Sequence, residues 1–410
     1  MYNIAKCFII VFSILSRVAI SIGSRSSKLL YSEQEIVDEL VKKWSPLVWL
    51  APNEKFLPGN VKTFLSNVHA EREKLSSQKI KDIGDNLSKY SHYYEDLVYY
   101  EGTDAISNSA VQNNRKRRNF DKDTSLEYIF ELPIDDASEN WFLVTNEDID
   151  SLMQNKSSFI YGDNPSSVPI YAVVSMCSSD KDFNFKKPHF HVSYWMFYPF
   201  SQGKTICTLN LGPIFGPIPI PLIWNVCLGT RKEFGSHVGD WEHVSIVFRG
   251  KMEPDEMYVS AHDAGAFYTY DKLTGTFEYK SQETRKGILQ HPVFPKTVIT
   301  SDNHPVLFAA EGSHGLWASP GKHRFVRVPR LYDINGFGQP WQTWNNVEVI
   351  YNDSKTKRSL NPNWMKYRGK WGNPKSKCHP LKRIGLHVCE QTDGPTGIPK
   401  KISHWTCSAS

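Results

Sequence analysis

From Tyr171 onward the chain is broken into short apolar runs, and this rhythm constrains its fold more than any other feature. Ile170-Tyr171-Ala172-Val173-Val174 reads as a buried strand, and His191 to Tyr198 as an aromatic-rich one. Val244 to Arg249, Met257 to His262 and Val306 to Glu311 continue the series, with polar turns and Gly or Pro breaks between them. Short runs rich in β-branched and aromatic residues suit a pleated, half-buried surface. Turns rather than helical crossovers join them, so the strands pair antiparallel. The expected fold is mainly β, an antiparallel β-sandwich with an N-terminal helix and long loops. Composition agrees, with 22 Phe, 19 Tyr and 12 Trp for the core and 25 Gly with 24 Pro for the turns.

The expected helix runs from Ser32 to Trp44. Ser32 and Glu35 form a capping box, and Ile36, Val37, Leu40 and Val41 make an apolar stripe. Ser45-Pro46 ends it before the short strand Leu47 to Leu50. The chain then divides into a signal peptide over 1–23, an N-terminal segment over 24–165 with a polar insertion (102–125), a β-sandwich core over 166–353, and a cysteine-containing extension over 354–410.

The leader reading rests on Lys6, the apolar stretch Cys7 to Leu15, and a second patch (Val18 to Ile22) that exits through Gly23 and Ser24. Interrupted by Arg17 and serines, it is too short for a membrane span. Six further cysteines (Cys177, Cys207, Cys227, Cys378, Cys389, Cys407) allow three disulfides in an oxidising compartment. One expected pair is Cys207 with Cys227, the rest forming among the last three and Cys177. Asn86, Asn155 and Asn352 begin glycosylation sequons. No retention tetrapeptide follows His404. The expected location is secreted, or the secretory pathway and vacuole lumen. The run Arg115-Lys116-Arg117-Arg118 reads either as a convertase site or as a solvated charge cluster. A formal charge of +5 gives no case for nucleic acid.

The chemistry concentrates in Ser236-His237-Val238-Gly239-Asp240-Trp241-Glu242-His243. Two residues apart on a strand, Asp240 and Glu242 share a face, and His237 lies just upstream. Adjacent carboxylates repel, so one holds a proton or a cation sits between them. Two oxygens and one imidazole suit a divalent cation, magnesium or calcium. The bland alternative is a strand end whose carboxylates only accept hydrogen bonds.

A second unusual stretch lies between Cys207 and Cys227, where isoleucines alternate with prolines. Phe215, Ile218, Ile220 and Trp224 are its candidate membrane-contacting residues. As a buried loop the same stretch would be a cover over the core.

Six strings carry a family resemblance. They are WSPLVWLAPNEKFLPGNV (Trp44 to Val61), GDWEHVSIVF (Gly239 to Phe248), AAEGSHGLWASPGKH (Ala309 to His323), DINGFGQPWQTWNNVE (Asp333 to Glu348), and GNPKSKC with DGPTGIP near the end. In this order the chain resembles the family of vacuolar protein sorting-associated protein 62 of fungi, with its plant relatives. The resemblance implies a role in vacuolar or endomembrane protein targeting.

SHVGDWEH also resembles the heptapeptide of the necrosis- and ethylene-inducing-like proteins, secreted cytolysins with a β-sandwich fold. That likeness implies a cation held by His237, Asp240 and Glu242. The second heptapeptide His falls at Gly239 and an upstream acidic ligand at Gly229, with Glu233 its nearest substitute. VSAHDAG (Val259 to Gly265) is similar to a further strand of that family, which adds His262 and Asp263. His314 is another possible ligand.

Ser313 and His314 are adjacent, whereas a hydrolase needs its base to arrive from elsewhere. Asp240 and Glu242 as a glycosidase pair would come from one strand, where such pairs come from two. The expected function is therefore non-enzymatic: cation-assisted binding of a lipid or glycan head group. A pore-forming cytolysin is the alternative and a hydrolase the third reading.

Overall fold

A computed structural model describes residues 34–72, 132–133, 140–177, 188–212, 216–220, 224, 226–284, 292–326, 331–352, 362–379, 389–401 and 404–405. The signal peptide, Asn86, the tetrabasic run and Phe215 lie outside them. Residues 1–71 with 132–410 form one compact unit, and 72–131 a second.

The first unit is mainly β. Its largest sheet has eight strands in the spatial order Thr297–Val298, Thr276–Thr284, Ala264–Asp271, Glu256–Ala261, His237–Arg249, His189–Ser201, Ile170–Met176 and Val347–Tyr351. Every strand run expected from the sequence is found, three of them longer than the apolar stretch that announced them. A five-stranded sheet holds Thr300–Ser301, His304–Ala309, Leu47–Trp49 and Pro340–Gln342 in that order, with Leu316–Trp317 beside the second.

The expectation of purely antiparallel pairing needs one correction. Leu47–Trp49 runs parallel to Val306–Phe308, and Val347–Tyr351 parallel to Ile170–Val174. Both pairs join segments far apart in sequence, where no short turn dictates direction. The remaining strand pairs of the two sheets are antiparallel.

Alternation along the two central strands sorts their side chains. Phe190, Val192, Tyr194, Met196 and Tyr198 join Val244, Ile246 and Phe248 on one face. Against that face lie Val37, Leu40, Val41 and Trp44, from the helical stretch 34–43, and Leu307, Ala309, Trp317 and Trp341 from near the smaller sheet. Each such side chain stabilises the fold by about 1.5–3 kcal/mol. On the other face Trp241 packs against Phe197 at 4.9 Å and Trp371 at 5.1 Å, with Trp364 and Trp195 beyond. Trp241 is thus part of the core.

Two disulfides close within the described residues, Cys207–Cys227 and Cys378–Cys389. Cys177 is also disulfide-bonded. The first bridge ties a three-stranded sheet in which Pro217–Pro219 is an edge strand, the position where proline costs no ladder bond. Among the described residues no helix is long and apolar enough to cross a membrane.

Candidate functional site

Pairing of Glu256–Ala261 with the strand His237–Arg249 stops at Val259 opposite Val244. Beyond that point His243 N–H donates to Ser260 Oγ at 3.3 Å, and a cavity of about 670 Å³ lies beside the His237 to His243 half of the strand. Its lining includes His237, Asp240, Glu242, Ser260, His262 and Asp263, with Thr392, Asp393 and Lys401 from the C-terminal segment. That segment is held by Thr392 N–H donating to the Ser236 carbonyl (2.7 Å) and Trp371 N–H donating to that of Pro395 (2.8 Å).

Asp240 and Glu242 share one face, as the alternation requires, opposite Tyr198 and Met196 of the neighbouring strand. Both are buried. The Trp241 N–H donates to Asp240 Oδ1 at 2.9 Å, and His314 Nδ1 meets Oδ2 at 3.1 Å. The other His314 nitrogen donates to the Phe56 carbonyl at 3.1 Å. Burial alone would raise the Asp240 pKa. The His314 hydrogen bond and the charges of His237, His314 and Lys401 outweigh it, so Asp240 titrates below the ordinary carboxylate range. Glu242 goes the other way. Burial and the neighbouring Asp240 charge push it well up, against the Lys401 charge and a hydrogen bond from Ser260 Oγ to Oε2 at 3.2 Å.

A second network backs the first. Asp333 is fully buried and accepts from His262 Nε2 (2.7 Å), Lys204 Nζ (2.9 Å), Ser313 Oγ (3.0 Å) and Trp317 Nε1 (3.0 Å). Burial opposes its charge, but the His262 and Lys204 cations hold its pKa far below the usual value. His262 and His314 each hold one of these carboxylates, and both have left-handed backbones, φ 56° and 57°. Such strain in residues other than glycine costs about 1–3 kcal/mol and gathers at functional sites.

The residues singled out by sequence are thus only partly brought together. His237, Asp240, Glu242, His262 and Asp263 line the cavity, and His314 props Asp240 from behind. Glu233 is engaged by Gln202 Nε2 (2.6 Å) and Ser236 Oγ and does not line the cavity. Among the described residues no group of three or more His, Cys, Asp or Glu is arranged to hold a metal ion. Asp240 has both oxygens engaged in hydrogen bonds, and His237 Nδ1 faces the Gly239 carbonyl at 2.7 Å.

Ser313 and His314 form no catalytic pair. The serine is committed to Asp333 and Lys204, and the imidazole to Asp240 and Phe56. In the Ile/Pro stretch Ile218 and Ile220 are half-buried, whereas Trp224 is 94% exposed. Leu209, Leu211, Val226 and Leu228 around it are exposed too. Asn155 and Asn352 are exposed.

Sequence reasoning missed Glu54, Tyr198, Ser260, Asp333, Asp393 and Lys401. A signal for three of them was present. Glu54, Asp333 and Asp393 lie in the strings that carry the family resemblance, and those strings meet at this site: Glu54 accepts from the Gly312 N–H at 2.8 Å, beside Ser313 and His314.

Comparison with known proteins agrees with those strings. Over 374 residues the chain is 24% identical to vacuolar protein sorting-associated protein 62 of Saccharomyces cerevisiae, covering 86% of this chain and 63% of that protein. The chain is a homologue of that protein. TDA6 of the same yeast, provisionally named a vacuolar protein sorting-associated protein, is 29% identical over 196 residues, 44% of this chain and 35% of that one. The chain therefore spans between a third and just under two thirds of the curated relatives it matches. No family model matches it, and no solved structure does.

Proposed function

We propose that this chain serves a vacuolar sorting-related role inside the secretory pathway, as a non-catalytic receptor for a polar head group on a lipid or a glycan. The yeast relatives' names supply the cellular setting, and the disulfides fit an oxidising lumen. One observation carries the molecular reading. A cavity of about 670 Å³ lies beside the central strand and offers carboxylate acceptors, lysine donors and hydroxyls together. Such a mixture suits a ligand rich in hydroxyl and charged groups.

The test is co-sedimentation with vesicles of endomembrane lipids, beside a glycan array, for the wild type and an Asp240→Asn, Glu242→Gln variant. Loss of at least about tenfold in affinity, or about 1.4 kcal/mol, is expected with folding intact. Equal binding by a folded variant would overturn the reading.

The apolar cluster around Trp224 favours a second reading, membrane insertion by a lytic protein. Dye release from vesicles separates the two, since a receptor binds without leakage.

A further inference from the structure

Two strings singled out in the sequence, GNPKSKC and DGPTGIP, meet at the wall of the cavity. Lys375 of the first donates its backbone N–H to Asp393 Oδ1 of the second at 2.8 Å. Lys370, just upstream, reaches the other oxygen, its Nζ 2.7 Å from Oδ2. The Lys370 backbone is fixed on the strand Trp141–Thr145. Its N–H donates to the Trp141 carbonyl and its carbonyl accepts from the Leu143 N–H, each at 2.8 Å. Asp393 therefore has both oxygens engaged, and these bonds alone hold the two segments together.

The Lys375 ammonium is left over. It lies 3.6 Å from Asp393 Oδ2, longer than a hydrogen bond, and makes no other ion pair among the described residues. Two ammoniums thus share one carboxylate oxygen, with one positive charge in excess. All three residues line the cavity, and the Lys370 and Lys375 side chains are 30% and 47% exposed, open to a ligand. Neighbouring like charges repel, and an anion seated between them removes that cost. Elsewhere the lining carries the carboxylates of Asp240, Glu242 and Asp263, groups that accept from hydroxyls.

We propose that Lys370 and Lys375 form a phosphate subsite, and that the ligand is a phosphorylated polyol or sugar. Its phosphate sits on the two lysines and its hydroxyls on the carboxylates. This deepens the proposed function by naming the anion of the head group, and it rests on the cavity being the binding site. Lysine suits the task, since its ammonium is a compact point charge that binds phosphate oxygens. An inositol-type lipid head group and a phosphorylated glycan share this chemistry.

The experiment is titration calorimetry of the full chain with inorganic phosphate and with glucose 6-phosphate, beside vesicles carrying a phosphatidylinositol phosphate. The wild type should bind phosphate, and glucose 6-phosphate more tightly. Lys375→Met keeps the stem and the backbone donor, so it should lose about tenfold in affinity for both with an unchanged melting temperature. Lys375→Arg should keep most of the binding. Lys377→Ala should bind as the wild type does, because that ammonium pairs with Asp150 at 2.9 Å and does not line the cavity. If Lys375→Met does not fold, Lys375→Gln takes its place. Tighter binding to the vesicles than to glucose 6-phosphate assigns the phosphate to a lipid, and the reverse assigns it to a glycan; both uphold the subsite. A wild type that ignores phosphate, or an equal loss in Lys377→Ala, would overturn it. Head-group binding that depends on Asp240 and Glu242 but not on Lys375 would also overturn it, while leaving the receptor reading in place.

Discussion

Asp333 gathers four donors around one buried carboxylate, and the balance of burial against those donors sets its behaviour. Its folded pKa is depressed, so its contribution to stability is present above the unfolded carboxylate pKa, about 4. That contribution is lost as pH falls through that value towards the folded one, because the unfolded state binds the proton first. Asp333→Asn keeps the shape but leaves Lys204 without its partner, and breaking a buried pair in this way costs about 3–5 kcal/mol. Urea unfolding at pH 7 should show that loss. Repeated at stepwise lower pH, the gap between wild type and variant should narrow below about pH 4. A constant gap would mean that the charge is irrelevant and only packing was lost.

The central strand pair shows how local backbone chemistry shapes the element that carries the site. Pro199 cannot donate a ladder bond, and the pairing register passes from Tyr198–Asp240 to Phe200–Val238 without it. Opposite lies Gly239, with φ 69° and a backbone pressed so closely on the Trp371 carbonyl that any Cβ would collide with it. A side chain there would be strained and would collide. Gly239→Ala should destabilise by about 2–4 kcal/mol, combining left-handed strain with overpacking. Equilibrium urea unfolding measures it. A loss below about 1 kcal/mol would show that the Trp371 segment yields easily.

For the molecule as a whole, the two bridges closed within the described residues should differ in consequence although they resemble each other in energy. Each closes a short loop, and each is worth about 3 kcal/mol in the chain-entropy account. Cys378–Cys389 tethers the segment that brings Cys389, Thr392, Asp393 and Lys401 to the cavity, whereas no described residue between Cys207 and Cys227 lines it. Replacing Cys378 and Cys389 by Ser should therefore weaken vesicle or glycan binding well below the melting temperature. Replacing Cys207 and Cys227 should lower the melting temperature alone. The reverse pattern would move the binding surface to the exposed apolar cluster around Trp224.

Much of the fold was legible because strand runs announce themselves by composition and alternation. Ile170–Met176 and His189–Ser201 bury what their patterns said they would, and the period of two alone put Asp240 and Glu242 on one face. Spacing paired Cys207 with Cys227, whereas His262 was named by a resemblance. What neither could supply was the partner of each histidine. Asp333 meets His262 across 71 positions and His314 meets Phe56 across 258, separations that no periodicity reaches. The parallel strand pairs, the inward turn of Trp241 and the arrival of Lys401 were likewise decided by how distant segments pack. Sequence by itself determined which side chains face together along an element, because strand geometry is local. Only the tertiary structure decided which elements face each other, and with that which distant side chains meet Asp240, Glu242 and Asp333.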